Sequence, residues 1–408
     1  MADPRRDPGA PILIVGGGHS GLLLALALDC AGLPVTVIEA QPLETIMAAP
    51  FDGRALALMY GSRRVLDGMG LWPAFAGIAE PVRGVQLRDQ GTGASMAFDA
   101  AALGEEVLAY GITNRALRRR LLELCRSRPK ITLRAPVRLE GLRRCPDAAV
   151  VTLADGSELC AALVVGADGR SSVVRELARI GARRWRYPQS AITFALRLPQ
   201  PHDGCVHELL RPAGPLALLP IGPELYAITW VESRAVAEGL LRLDPESLLL
   251  ELQDRLDIDL AGARLCGRPT GHPLSGLQAV RYGAPRVALV GDAAHGLHPI
   301  HAQGFNLAVR DVAALAEVVV DSLRASADPG GPDALLRYDR LRRTDVWLTV
   351  GLTDGLNRLF STDLAAARLV RGLGFAAIDR LPQLKHFAMR RGMGLAGDLP
   401  RLARGEAL

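Results

Sequence analysis

The chain is poor in cysteine and in aromatic residues, and each shortage argues against a class of function. Its 6 cysteines are scattered and form no CxxC pair, so we predict neither a metal site nor a disulfide framework. Unpaired thiols are typical of a reducing compartment, and we expect a cytoplasmic location. Aromatic residues make up 4% of the sequence, and no arginine block is interleaved with them. This composition argues against nucleic-acid binding.

The sequence also lacks an apolar run long enough to cross a bilayer. Its opening residues, MADPRRDPGAP, have no apolar core of the kind that a signal peptide requires. Lys130 and Lys385 are the only lysines, so arginine supplies nearly all of the positive charge behind a net charge of +5. This excess indicates a mild preference for anionic surfaces such as lipid headgroups. We therefore expect any membrane contact to be peripheral, at the inner membrane face.

Glycine, by contrast, is abundant and regularly spaced. Residues 12–21 read ILIVGGGHSG, a buried-type strand that runs into Gly16, Gly18 and Gly21. A helical segment follows, and then a second strand, PVTVIE, that ends in Glu39. Glycines at this spacing allow a tight turn and the close approach of a pyrophosphate, and an acid after the second strand is expected to bind a ribose. An acid at Glu39 favours a free 2′-hydroxyl, hence FAD or NAD rather than NADP.

A second informative stretch, residues 286–311, reads RVALVGDAAHGLHPIHAQGFNLAVRD. A strand rich in β-branched residues stops at Asp292, a loop punctuated by proline and glycine follows, and a helix is predicted from about Gln303. A carboxylate at the end of a parallel strand can bind ligand hydroxyls, and a helix N-terminus favours negative charge. Together they suit a cofactor that carries a polyol and a ring that becomes anionic. An ordinary strand-to-helix crossover is the alternative.

Two further charged positions have more than one interpretation. Asp168 ends a strand within LVVGADGRSSVVR, much as Asp292 does. The two carboxylates indicate either one ligand held from two sides or two unrelated turns. Arg54 precedes ALALMYGSRRVLDG, a stretch typical of an amphipathic helix, and is either a solvated loop charge or a phosphate ligand.

The middle of the chain predicts a sheet, and its last part predicts helices. Residues 82–99 alternate as in an antiparallel hairpin, and residues 191–231 contain several apolar strands. These strands form either a lid over an apolar pocket or a plain packed sheet. The tail from Leu335 is amphipathic and arginine-rich, which fits internal packing or, alternatively, docking on a membrane surface. Helices are predicted at residues 114–126, 245–256 and 305–326.

Taken together, GGGHSG, GADGRSSVVR and GDAAHGLHPIHAQGFNLAVRD, in this order, resemble the class A flavoprotein monooxygenases of the para-hydroxybenzoate hydroxylase type. FDGRALALMYGSRR, GPLALLPIG, LTDGLNRLF and RLPQLKHFAMRRGMGLAGDLPRLARG look like the ubiquinone-biosynthesis hydroxylases of that family. The resemblance covers essentially the whole chain. It implies an α/β fold with an FAD-binding Rossmann-like domain, an inserted mixed or antiparallel β-sheet substrate domain and a C-terminal helical region.

The resemblance also implies boundaries and site residues. We expect an FAD-binding domain in residues 1–80, 100–182 and 270–335, a substrate domain in 81–99 and 183–269, and the helical region in 336–408. The residues expected to hold FAD are Gly16, Gly18 and Gly21 on the diphosphate, Glu39 on the ribose, Arg54 near either, Asn114 on the flavin, Asp168 and Gly169, Asp292 on the ribitol, and Pro299, Ala302, Gly304, Phe305 and Asn306 beside the isoalloxazine ring.

The chain departs from this branch at one place. Where members have Ala-Gly between Pro-Ile and Gln-Gly, this sequence has His301-Ala302. A titratable ring there could tune the flavin or take a substrate proton, so His301 is a candidate catalytic residue; a solvent-facing or packing role is the alternative. Ala217 and Leu219 share one face of GPLALLPI by its two-residue period and are candidate substrate contacts.

The function implied by the resemblance is hydroxylation of the ring of a prenylated phenol or quinone precursor in ubiquinone biosynthesis, through a flavin C4a-hydroperoxide. It requires FAD, molecular oxygen, and NADH, NADPH or another electron donor, and other ubiquinone-biosynthesis proteins are candidate partners. Two alternatives stay open. One is an FAD-dependent reductase of a prenyl or quinone substrate, and the other is a non-catalytic FAD-binding subunit that presents lipid. A halogenase is disfavoured because no WxWxIP-like segment occurs.

Overall fold

The computed structural model describes residues 12–256 and 260–408. The strands of this part of the chain are β1 (Ile12–Val15), β2 (Val35–Ile38), β3 (Ala55–Met59), β4 (Glu80–Val82), β5 (Gly84–Asp89), β6 (Ser95–Asp99), β7 (Ala109–Thr113), β8 (Ile131–Arg134), β9 (Leu139–Arg144), β10 (Ala149–Leu153), β11 (Glu158–Ala161), β12 (Leu163–Gly166), β13 (Ala182–Arg197), β14 (Cys205–Leu210), β15 (Leu216–Gly222), β16 (Leu225–Ser233), β17 (Arg264–Ala279), β18 (Gly283–Ala284), β19 (Val287–Leu289) and β20 (His295–Gly296).

The helices of the same residues are α1 (His19–Cys30), α2 (Leu43–Ala48), α3 (Tyr60–Gly68), α4 (Pro73–Ala76), α5 (Asn114–Arg126), α6 (Val173–Leu177), α7 (Arg234–Leu240), α8 (Pro245–Leu256), α9 (Gln303–Arg324), α10 (Pro332–Phe360), α11 (Ala365–Arg380) and α12 (Pro382–Gly392). Helices α5 and α8 have the bounds that the sequence predicts. Helix α9 begins at Gln303, where the loop pattern predicts a helix start, and ends two residues before the predicted limit at residue 326.

A sheet with the strand order β18-β19-β12-β1-β2-β8 contains the glycine-bearing strands. Strands β1, β2, β8, β12 and β19 pair in parallel. Strands β1, β12 and β19 are buried along their whole length, which is typical of a parallel sheet covered on both faces. Helix α1 connects β1 to β2 and packs against α9, so this sheet and these helices share one hydrophobic core.

A larger sheet with the order β20-β17-β13-β16-β15-β14-β5-β6 forms the second layer. Its pairs are antiparallel except β14 with β5. One face of this sheet packs against α7 and α8 through a core that includes Ile192, Leu218, Ile228 and Trp230. The predicted α/β fold with a mixed β-sheet insertion is therefore confirmed.

The stretch after Arg54 corrects one prediction. Residues 55–59 were expected to begin an amphipathic helix, but they form β3, and the helix α3 starts only at Tyr60. Strand β3 pairs with β7 from Ala55↔Thr113 to Met59↔Ala109. The sequence pattern around residue 55 carries no sign of this distant partner strand, so tertiary pairing overrides local preference.

The predicted domain limits fall inside regular elements. Strand β17 runs through the limit at residues 269 and 270, and α10 runs through the limit at residues 335 and 336. Strand β20 also adds a segment of the predicted FAD-binding domain to the edge of the large sheet. The division into domains stays a prediction.

The C-terminal helices are fixed to the large sheet by a buried ion pair. The guanidinium of Arg371 on α11 lies 3.1 Å from the carboxylate of Asp89 on β5, and both side chains are almost completely buried. Arg371 also donates to the backbone carbonyls of Leu359 at 3.1 Å and Thr362 at 2.7 Å. Among the helices described, none has the length and hydropathy needed to cross a membrane.

We predict that Arg371→Met lowers the free energy of unfolding by about 3 kcal/mol, because it leaves the Asp89 carboxylate buried without its partner. Urea-induced unfolding followed by tryptophan fluorescence measures this change. Arg368→Met, on the exposed side of the same helix, is the matched control and should shift stability by less than about 0.5 kcal/mol. Equal effects of the two substitutions would contradict the role assigned to the ion pair.

Candidate active site

Three turns meet at one edge of the parallel sheet. The registers Val15↔Gly166 and Gly166↔Leu289 place the ends of β1, β12 and β19 side by side. Ligands of parallel α/β sheets bind outside the carboxyl ends of such strands. The three sequence motifs, which are far apart in the chain, therefore lie together at the edge where a ligand of such a sheet is expected.

The turns pack so closely that glycine is required at two positions. A Cβ on Gly16, whose φ is +110°, would lie 2.4 Å from the carbonyl oxygen of Ala167. A Cβ on Gly291, whose φ is +60°, would lie 2.6 Å from Oγ of Ser20. Both contacts are shorter than any side chain tolerates, and both residues have a backbone conformation that favours glycine. The first and last motifs therefore touch through Gly291 and Ser20.

Other glycines leave a surface open to a ligand. A Cβ on Gly18, Gly169 or Gly304 would meet no atom within 4 Å. Gly18 precedes α1 and Gly304 is the second residue of α9, and neither helix has a side-chain cap at its N-terminus. The free N–H groups of two helix N-termini next to open backbone are suited to a diphosphate and to an anionic ring.

Glu39 is held in place at this edge. Its carboxylate accepts hydrogen bonds from the backbone N–H of Gly17 at 2.8 Å and of Gln41 at 2.9 Å. The guanidinium of Arg118 lies 3.6 Å from the same carboxylate and 3.4 Å from the carbonyl oxygen of Gly17. Arg118 was not predicted as a site residue. Its only signal was its place in an arginine run on α5, which does not show which arginine faces the glycine turn.

Arg54 lies near the same turn, but its guanidinium already has a partner. It forms an ion pair of 2.6 Å with Asp52, and half of its side chain is exposed. Its charge is close enough to lower the pKa of His19, together with burial and Arg118. Arg54 is thus placed near the predicted diphosphate position, and Arg118 is the arginine in direct contact with the glycine turn.

Asn114 and His19 connect the first motif to the loop before α9. Nε2 of His19 donates to the backbone carbonyl of Asn114 at 3.0 Å, and the His19 ring lies edge-on to Phe305 with centroids 5.7 Å apart. Burial lowers the pKa of His19 to about 4, so the ring is neutral at physiological pH. The side-chain oxygen of Asn114 is buried without a hydrogen-bond partner in the described residues. An external donor would satisfy it.

The two strand-terminal carboxylates have different surroundings. One oxygen of Asp168 accepts from the backbone N–H groups of Val173 at 2.7 Å and Val174 at 3.1 Å, and the other is buried without a partner in the described chain. Asp292 is about half exposed and forms an ion pair of 3.0 Å with Arg170. Asp168 therefore caps α6 with one oxygen and keeps the other available, while Asp292 faces the open side of the site.

A buried network fixes the turn that carries Asp292. Asp311 on α9 accepts from the backbone N–H of Gly291 at 3.0 Å, from His295 at 2.6 Å and from Arg342 at 2.7 Å. Burial alone would raise the pKa of Asp311, but His295 and Arg342 lower it below its usual value. Asp311 ends the motif NLAVRD, but its role could not be predicted, because its contacts with Gly291, His295 and Arg342 form only in the folded chain.

The loop before α9 has an unusual backbone. His301 and Ala302 have φ values of +65° and +50°, a left-handed conformation that side chains rarely adopt. The side chain of Asn306 holds this loop against β3, since it accepts from Met59 N–H at 2.9 Å and donates to the carbonyls of Ala57 and Ala302. Asn306 therefore shapes the loop with its side chain. Pro299 and Gly304 flank the two strained residues.

His301 stays a candidate rather than an assigned catalytic residue. Burial lowers the pKa of its ring, and Nε2 has no hydrogen-bond partner among the residues described. The neighbouring His298 is similar: burial and His301 lower its pKa to about 4. Both rings are neutral near pH 7, so neither carries a positive charge to the site.

The predicted substrate contacts lie on the face of the large sheet opposite to the core under α7 and α8. Leu216 and Leu218 belong to that core, whereas Ala217 and Leu219 point to the other side by strand alternation. Leu219 and Ala302 both pack against the buried residues Ala57, Val82 and Ala109. This places Leu219 next to the loop before α9, while a substrate role of Ala217 and Leu219 stays a prediction.

The residues present fit the FAD that the sequence implies. The fit rests on open glycines at two helix N-termini, a fixed carboxylate with a neighbouring arginine at the first turn, and unsatisfied buried oxygens on Asn114 and Asp168. In the described residues, the polar side chains of Asp203, Cys205 and His207 lie close to one another, and nothing shows that they bind a metal. They belong to β14 and the loop before it, not to the three turns.

Comparison with known proteins supports the same cofactor. A family model described as FAD binding domain matches residues 9–353. The chain is 42% identical to ubiquinone hydroxylase UbiL of Rhodospirillum rubrum over 98% of this chain and 94% of that protein. It is 34% identical to 3-demethoxyubiquinol 3-hydroxylase of Escherichia coli over 94% and 98%. The crystal structure of p-nitrophenol 4-monooxygenase PnpA from Pseudomonas putida has the same fold, with a TM-score of 0.78, 20% identity and coverage of 95% and 98%.

We predict that Gly304→Val weakens FAD binding at least about tenfold, because the added side chain fills the open face of α9 without meeting protein atoms. Flavin absorbance per chain after purification, and FAD titration of the apoprotein, measure the loss. Gly351→Val is the matched control, since it lies at an exposed position of α10 with equally open surroundings. Normal flavin content in Gly304→Val would show that the cofactor lies elsewhere.

Proposed function

The chain belongs to the FAD-binding domain family of class A flavoprotein monooxygenases, and on that premise we propose that it is an FAD-dependent hydroxylase of an aromatic ring in ubiquinone biosynthesis. The relatives named ubiquinone hydroxylase and 3-demethoxyubiquinol 3-hydroxylase support this activity. The substrate is a prenylated phenol, and the co-substrate is molecular oxygen. Electrons come from NADH, NADPH or another donor.

The observation that carries the proposal is the meeting of the three turns with the apolar face of the large sheet. The loop before α9 touches the first motif through Phe305 and His19, and it shares a hydrophobic cluster with Leu219. A ring held at this loop would have the diphosphate-binding turns on one side and apolar strands on the other. An oxygen-transfer reaction requires this arrangement, because water must be kept from the reacting centre.

When bound, FAD would supply the oxygen activation and electron transfer that side chains cannot provide. The chain contributes binding, orientation and electrostatics. The N-terminus of α9 directs free N–H groups toward the loop and stabilises negative charge there. Leu219 and its cluster neighbours exclude water, and Asp311 holds the turn of Asp292 in position.

The test is turnover of the FAD-loaded chain with a farnesylated phenol under heavy-isotope oxygen gas, with NADH and NADPH tried as donors. We expect a product that gains one labelled oxygen atom, and no product without oxygen. The chain prepared without FAD serves as the control that lacks flavin. A product formed anaerobically would identify a reductase, and flavin that is never reoxidised with substrate would favour a non-catalytic subunit. Either result contradicts the proposal.

We also propose that the protein meets its substrate at an anionic lipid surface. Six apolar residues of the C-terminal helices are between 55% and 69% exposed, and we call them the apolar docking face: Leu364, Leu369, Val370, Leu373, Leu381 and Phe387. Asp379 is the only acidic residue of α11 and α12, whereas α11 carries Arg368 and Arg380 outside the core and α12 carries Arg390 and Arg391. A surface that combines exposed apolar side chains with positive charge is suited to anionic headgroups.

We predict that Leu369→Asp with Leu373→Asp weakens binding to vesicles of phosphatidylglycerol and phosphatidylethanolamine by about tenfold per substitution, because each change removes an apolar contact and adds repulsion. Vesicle sedimentation measures the bound fraction. Leu250→Asp, at a 67% exposed position of α8, is the control. Equal binding by all variants would contradict a lipid-facing role. A second result would also contradict the lipid-facing role: the wild type forms a concentration-dependent dimer that the aspartate variant loses, and neither protein binds lipid. The apolar docking face would then bind a second copy of the chain.

A further inference from the structure

Glu208 on β14 faces the loop before α9. Side chains alternate along a strand, so Val206, Glu208 and Leu210 share one face of the sheet. Val206 packs with Ala302 against one buried cluster, and Leu210 belongs to another cluster with Ile300. Glu208 lies between Val206 and Leu210 on this face, and it pairs with Ala217 of β15 in the strand register. It therefore points into the space bounded by the loop and the predicted substrate contacts.

The carboxyl group of Glu208 is unlike the other buried acids. Asp89, Glu232 and Asp311 each form an ion pair with an arginine. For Glu208 no hydrogen bond or ion pair occurs with any residue in the described ranges 12–256 and 260–408, and burial is the cause that raises the pKa of its carboxyl from 4.5 to about 7. Its side chain nevertheless keeps partial exposure. A buried carboxyl group without a partner is costly, and the remaining exposure leaves this one open to an external hydrogen-bond donor.

We propose that Glu208 binds the ring hydroxyl of the substrate and takes its proton, so that the site selects a phenol or quinol over a quinone. This inference rests on the proposed hydroxylase function. A carboxylate accepts hydrogen bonds and a phenol donates one, whereas quinone carbonyls only accept and would be repelled. In the proton transfer the phenolic O–H bond breaks, an O–H bond forms on the carboxylate, and the electron pair stays on the ring oxygen. The electron-rich ring that results is the form open to oxygen transfer.

Among the titratable groups described on this face and in the facing loop, Glu208 is the one whose pKa lies near neutral pH. His298 and His301 in the facing loop have lowered pKa values and stay neutral. Asp89 on the neighbouring strand β5 is paired with Arg371 of α11. Strand β15 carries no titratable side chain, and His207 lies on the opposite face of β14. A carboxyl with a pKa near the working pH is suited to act as a general base.

The experiment compares the wild type with Glu208→Gln in the FAD-loaded protein. The probes are a prenylated 4-nitrophenol, whose phenolate absorbs visible light, and its methyl ether, which has no proton to donate. In a pH titration of the complex, we expect the phenolate absorbance of the bound probe to appear at lower pH in the wild type than in Glu208→Gln, because only the wild type has a carboxylate that accepts the phenolic proton. The affinity for the phenol should fall about tenfold to a hundredfold in the variant. The affinity for the ether should not fall.

His207→Gln is the matched control, because it makes a similar change on the same strand but on the opposite face. Thermal stability gives an independent readout. The raised pKa means that the folded wild type loses stability as pH rises from about 4.5 to about 7. Glu208→Gln should therefore be the more stable protein above pH 7, while a merely structural carboxylate would make the variant less stable.

The outcomes separate the two proposals. Hydroxylation by the wild type together with equal phenol binding and ionisation in Glu208→Gln would overturn the role of Glu208. Ionisation of the probe in the wild type and its loss in Glu208→Gln, without any oxygenated product from the wild type, would support that role and overturn the hydroxylase function.

Discussion

The candidate site exists because three neighbouring strands, β1, β12 and β19, run in parallel and end at one edge of their sheet. At that edge the turns pack so closely that a Cβ on Gly16 would clash with the carbonyl of Ala167 and a Cβ on Gly291 with the hydroxyl of Ser20. The buried carboxylate of Asp311 then fixes the last turn through Gly291, and two helix N-termini stay open toward the same space. Cofactor binding follows from this packing rather than from any single charged residue.

Features that depend on local pattern could be predicted from the sequence. Short segments of the sequence are enough to predict the glycine spacing, the strand before Glu39, and the positions of Asp168 and Asp292 after strands. The structure has strands and turns at these places. Features that depend on distant partners could not be predicted in this way. Arg118 reaches Glu39 from another helix, and Asp311 is buried by residues of α10 and the loop before α9.

The same reasoning explains the strand β3 and the residue Glu208. Residues 55–59 follow a helical pattern locally, but pairing with β7 decides their conformation. Glu208 in CVHELL reads as an ordinary polar position of a strand, and only the register with Ala217 and the contacts of Val206 and Leu210 show which way it points. An acid left unpaired in this position reduces stability, which is characteristic of residues kept for function.

The central claim is that FAD lies across the three turns with its ring at the loop before α9. A crystal structure of the chain grown with FAD and solved to show the cofactor tests this claim most directly. The account predicts density for the diphosphate over Gly18, the ribose at Glu39 and the isoalloxazine ring against Ala302 and Gly304. FAD bound at any other surface, or a chain that takes up no FAD under saturating conditions, would contradict it.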